Sequence, residues 1–150
     1  MNNARSAALT ALLHVDVNEG YSNIVLDKTL SAFSLDQRDK ALVSAIFYGV
    51  LERRITLDYI IGQFSKTPVR KMSAQVLEIL RMGVYQILYL EKIPKSAAVN
   101  ESVNLAKENE AVKASGFINA VLRALLRNID HIQMPDSEKE PLLYLSVKYS

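Results

Sequence analysis

A chain of 150 residues suits one domain, or two small helical halves sharing a core, and its 49% hydrophobic content can fill a substantial interior. With no cysteine, disulfides, thiolate metal sites and a cysteine nucleophile are excluded, and His14 and His131 lie too far apart for metal-ligand spacing, so no metal is expected. The net charge is only +2 but unevenly spread: eight basic residues face three acids between Arg53 and Lys95, and the balance reverses after Asn128, which points to a surface that meets a polyanion.

The N-terminus has neither a long apolar run nor a cleavage site, so a cytoplasmic protein without signal peptide or membrane span is expected. A first helix is predicted from Asn3, as N-cap, to Glu19, ended by Gly20. Its buried face would be Ala8, Leu12 and Val15 with Leu9 and Leu13. Arg5 opposes the helix dipole in the first turn, and reads either as a solvated side chain or as an anion-binding one. Ser22 is expected to cap a second helix to Phe33 that carries Ile24, Val25, Leu26 and Leu30. A third runs from Asp36 to Arg53 on Leu42, Val43, Ile46, Phe47, Val50 and Leu51, with Gly49 marking close packing and Arg53-Arg54 a terminal charge pair. Thr56 would cap a fourth helix through Phe64. A basic loop follows, Ser65 to Lys71, with Arg70 and Lys71 at its end.

Ser73 is expected to cap the central helix, whose apolar positions between Val76 and Leu90 surround most of the wheel. At ~15 residues, and with Glu78, Arg81 and Gln86 inside it, that helix cannot cross a membrane. Gly83 costs roughly 1 kcal/mol in mid-helix, so another helix should cross there. Past Pro94, a sixth helix from Ser96 to Glu108 has a narrow seam of Val99, Val103 and Ala106, with Asn100 beside it as a buried tie between helices. The last long helix, Lys113 to Asn128, buries Phe117, Ile118, Val121, Leu122, Leu125 and Leu126. Lys113, Gly116, Ala120, Arg123 and Arg127 share another face, either a solvated basic edge or a place where a backbone or nucleic acid approaches. Residues 129–150 read as a linker with a short apolar turn at Leu142–Tyr149, and the chain stops in apolar sequence as if cut from a longer protein. No strand signal, fixed repeat, glycine-rich phosphate loop or Ser-His-Asp set appears, so no catalytic centre is expected in these 150 residues.

Two segments carry a family likeness. Ile93-Pro94-Lys95-Ser96-Ala97-Ala98-Val99-Asn100-Glu101-Ser102-Val103-Asn104-Leu105-Ala106-Lys107 and Gly116-Phe117-Ile118-Asn119-Ala120-Val121-Leu122-Arg123 resemble the two motifs of the NusB family, and Arg81–Leu90 fits between them. Tyr21-Ser22-Asn23, Leu35–Val43, Tyr48–Arg54 and Leu57-Asp58-Tyr59 resemble one branch, the NusB-like N-terminal domains of RsmB-type (Sun/Fmu) rRNA cytosine-C5 methyltransferases. The resemblance implies an all-α bundle of about seven helices in two packed sub-bundles over residues 1–128, and an RNA-binding role. It also implies that S-adenosylmethionine and the catalytic cysteines belong to a further methyltransferase domain, absent from this chain. Carried over, Arg5 matches the start of an arginine-rich arm, and Phe117 and Asn119 match the last-helix motif, although Phe117 reads more readily as plain core. The expectation is a domain that positions small-subunit rRNA through phosphate contacts from Arg5, Arg70, Lys71, Lys95, Arg123 and Arg127. The alternatives are a module that docks on the catalytic domain or a ribosomal protein, and a NusB-type antitermination factor. A homodimer is a further candidate assembly.

Overall fold

The fold comes from a computed structural model, which describes residues 3–17, 21–109, 111–135, 145 and 148. Seven α-helices form an all-α bundle: α1 (Asn3–Val17), α2 (Ser22–Ala32), α3 (Gln37–Glu52), α4 (Arg54–Phe64), α5 (Ala74–Tyr89), α6 (Lys95–Glu108) and α7 (Ser115–Arg127). Short 3₁₀ turns at Val69–Lys71, Val112–Ala114 and Ile129–His131 join or follow them, and there is no strand among the described residues. α1–α3 pack as one sub-bundle and α4, α6 and α7 as another, with α5 running between them and touching α1, α3, α4, α6 and α7.

The central position of α5 follows from its sequence. Its start is fixed by Ser73, whose hydroxyl accepts the Val76 N–H at 3.2 Å. From Glu78 to Ile87 every residue is buried except Arg81, which is nearly so. A β-carbon added at Gly83 would lie 2.8 Å from Ser102 Oγ and 2.9 Å from Leu122 Cδ1, so α6 and α7 both close onto α5 at that point. A β-carbon at Gly49 would collide with the Tyr85 ring, which seats α3 on the other side. Phe47, Leu57, Ile61, Ile79, Leu80, Ile118 and Leu122 fill the interior with no exposed surface. Each contributes roughly 1.5–3 kcal/mol relative to leaving it in water.

Several local expectations are corrected. Ser22 is the first residue of α2 and makes no capping bond. Ile24, expected in the core, is 47% exposed. Asp36 is the cap of α3, accepting the Asp39 N–H at 2.8 Å. α4 begins at Arg54, so Thr56 is a buried helical residue and not a cap. Asn100 points to solvent, because the buried seam of α6 is Ala98, Val99, Ser102, Leu105 and Ala106. The polar group inside that seam is Ser102, whose hydroxyl donates to Ala98 O at 2.8 Å. Gly20 and most of the apolar turn at 142–149 lie outside the described residues.

Candidate nucleic-acid interface

The arginines of this chain divide by what they face. Arg81, on α5, donates through Nε and Nη2 to both oxygens of Asp58 at 2.7 Å, and through Nη1 to Glu78 Oε1 at 2.9 Å. Arg54 reaches the other Glu78 oxygen at 3.1 Å. Burial alone would lower the Arg81 pKa, but hydrogen bonds and charge from Asp58, with Glu78, outweigh it and raise the pKa above the ordinary arginine value. This network ties α4 to α5 and takes two cations out of the basic middle of the sequence. Arg53 pairs with Glu52 at 3.5 Å and lies over the Tyr89 ring at 4.6 Å.

Arg5 belongs with the interior group. It is 8% exposed, and its Nε donates to Gln86 Oε1 at 2.7 Å, while Gln86 Nε2 donates to Met82 O at 2.9 Å. Burial pushes its pKa down, opposed by the charge of Glu101. The expectation of a solvent-facing Arg5 is therefore corrected. It joins α1 to α5 through Gln86 and leaves little surface for a phosphate. The signal for both networks lay in Glu78, Arg81 and Gln86, which the apolar stretch of α5 from Val76 onward holds inside the bundle.

Six further cations are outside. Arg123 and Arg127 are exposed on α7, together with Gly116 and Ala120, and Lys113 is exposed on the turn just before it. Nothing stands within 4 Å of the place a Gly116 β-carbon would occupy. Asn119 Oδ1 accepts from Arg123 Nε at 2.9 Å, holding the guanidinium along the helix. Phe117 is half-buried and packs against the core, so its ring serves the interior at least in part. From Ala111 to Ile129 the sequence holds Lys113, Arg123 and Arg127 and no carboxylate. Arg70 and Lys71 are exposed on the 3₁₀ turn that rests on α4. Lys95 is exposed at the first residue of α6, its Nζ donating to Ile87 O at 3.3 Å. Arg123 and Arg127, four residues apart, thus share one face of α7, Lys113 stands on the turn before it, and the other three stand on two further elements.

Sequence reasoning missed one surface feature. His14 is exposed, and with Tyr21, Ile24, Val25, Lys28 and Thr29 it lines an open groove of about 490 Å³ between α1 and α2. Among the described residues no group of carboxylates and histidines could hold a metal ion, and no helix is long and apolar enough to cross a membrane.

Comparison with known proteins agrees with this architecture. The chain is 34% identical over 146 residues to the probable ribosomal RNA small subunit methyltransferase B of Bacillus subtilis, covering 97% of this chain and 32% of that protein. Against the protein of the same name from Synechocystis it is 34% identical over 127 residues, 85% of this chain and 28% of the relative. The chain thus spans about a third of the length of these methyltransferase relatives. The transcription antitermination protein NusB of Bacillus velezensis is 31% identical over 128 residues, 85% of this chain and 95% of that one. A chain in the crystal structure of a plectonemic RNA supercoil shares the fold, with a TM-score of 0.78 at 18% identity over 88% of this chain and 97% of that one. The NusB family model matches residues 2–127, and the chain belongs to the NusB family.

Proposed function

We propose that this chain is an RNA-binding auxiliary domain of a small-subunit rRNA (cytosine-C5) methyltransferase, which helps to bind and position the rRNA through phosphate contacts. The observation that carries the reading is the α7 face, where Lys113, Arg123 and Arg127 are exposed beside small residues in a stretch without carboxylates. Small side chains at Gly116 and Ala120 let a sugar–phosphate backbone come near, and the flanking guanidiniums meet its oxygens. Arg70, Lys71 and Lys95 extend the contact from neighbouring elements. The likeness to methyltransferases three times as long supports a catalytic part of the same protein as the partner. We assign S-adenosylmethionine to that part and not to these helices.

The test is anisotropy of labelled single-stranded fragments of small-subunit rRNA at low salt. Reversing charge at Arg123→Glu and Arg127→Glu should weaken binding by at least about tenfold, and added salt should weaken the parent chain steeply. Equal affinity in the variant, or no binding by the parent chain at low salt, would end the proposal. A free-standing antitermination factor is the second reading, favoured by the near-complete coverage of the Bacillus velezensis NusB. It requires binding to a ribosomal-protein partner, whereas a docking module would bind the catalytic part with no affinity for RNA.

A further inference from the structure

We infer that the groove between α1 and α2 holds one unpaired nucleotide of a bound strand, its base on Tyr21 and Ile24 and its phosphate on Lys28. The inference rests on the RNA-binding reading above and names a second point of contact for it. Tyr21 immediately precedes α2 and is 62% exposed, and Ile24 is 47% exposed. Tyr21, Ile24 or Val25, and Lys28 follow one another at helical spacing, so an aromatic ring, an aliphatic surface and a cation share one face. About 10 Å of helix separates the ring from the cation, which leaves space for a sugar between base and phosphate. Val25 and Thr29 form a buried floor, and the Thr29 hydroxyl is engaged with Val25 O at 2.9 Å.

Three other tyrosines already have ring or guanidinium neighbours. Tyr85 and Tyr89 stack on each other at 5.3 Å, Arg53 covers Tyr89, and Tyr48 meets Phe47 edge-on. No aromatic neighbour covers Tyr21 among the described residues. An open π-face is what a base stacks on, whatever its identity. The groove, at about 490 Å³, falls in the range of roughly 300–1,000 Å³ that small-molecule sites occupy. Its described lining includes Lys28, whose ammonium suits a phosphate oxygen.

The test is a titration of the full chain with uridine monophosphate, and then with oligouridylate of about ten nucleotides, followed by amide NMR shifts. Shifts are expected around His14, Tyr21, Ile24 and Lys28 with either probe. Tyr21→Ala should weaken oligouridylate binding by about tenfold while Tyr21→Phe keeps it. Lys28→Ala should make the slope of log affinity against log salt shallower by about 0.7. Charge reversal at Arg123 and Arg127 should leave the mononucleotide shifts in place. If Tyr21→Ala binds as the parent does and shifts fall only on α7, the groove is not a site, although the α7 reading stands. If α7 reversal changes nothing while the groove shifts persist, the α7 reading fails and the groove remains. If Tyr21→Ala spares RNA but weakens association with the C-terminal part of the Bacillus subtilis relative, the groove docks protein and the inference is overturned.

Discussion

Arg81 serves two carboxylates at once, and Glu78, which it shares with Arg54, is buried to 1% exposure. Removing one member of such a set leaves a charge inside the bundle with too few partners. Arg81→Met should therefore destabilise the fold by about 3–5 kcal/mol in urea unfolding. Arg127→Ala, at an exposed helix end, should stay within about 0.5 kcal/mol. Equal losses would mean that the division of the arginines into interior and surface groups is wrong. The pKa directions add a second check. Arg81 is raised in the fold, so its contribution is complete below the unfolded value and lost only as pH rises through the folded one. Arg5 is lowered, so its charge costs stability below its folded value, a cost relieved as pH rises from there through the unfolded value. The Arg81 window is strongly alkaline, so Arg81 should not tilt stability across the neutral range.

At the scale of helices, Gly83 and Gly62 are opposite cases of one residue type. Gly83→Ala gains about 1 kcal/mol of helix propensity but drives a methyl into Ser102 and Leu122, and overpacking of this kind costs about 1–3 kcal/mol. Gly62 lies exposed inside α4 with nothing within 4 Å, so Gly62→Ala should stabilise by up to about 1 kcal/mol. Thermal unfolding of the two variants should move in opposite directions, and a stabilised Gly83→Ala would refute close crossing at α5. The position of Gly83 was legible because a glycine in an apolar helix has few other uses, and Ser73 because its cap depends on local sequence alone. The α7 face was legible for a similar reason, since its apolar stripe is well separated from its cations. Arg5 was not. α1 buries Ala4, Ala7, Ala8 and Ala11 as well as Leu9 and Leu12, so its buried arc is wide and small side chains let an arginine be enclosed. Asn100 failed for the same kind of reason: a weakly amphipathic helix such as α6 leaves its facing to its neighbours, and α5 and α7 select Ala98 and Ser102.

For the whole molecule, the open matter is whether the outer cations act as one surface. α7 bears Arg123 and Arg127, with Lys113 on the turn just before it, whereas Arg70 and Lys71 ride on α4 through a 3₁₀ turn and Lys95 starts α6. Because α4 and α6 each pack against α7, a strand laid along α7 passes the elements that carry the other three. Each phosphate neutralised on a single strand adds about −0.7 to the slope of log affinity against log salt. The α7 group alone then gives a slope of about −2, and all six cations acting together give about −4. A slope near the steeper value, shortened by Arg70→Ala with Lys71→Ala as well as by Lys95→Ala, would establish a continuous phosphate track. A slope near −2 that those substitutions leave alone would confine binding to α7. A slope near zero would remove phosphate contact altogether, because affinity that ignores salt cannot come from cations displacing the counterions of a nucleic acid.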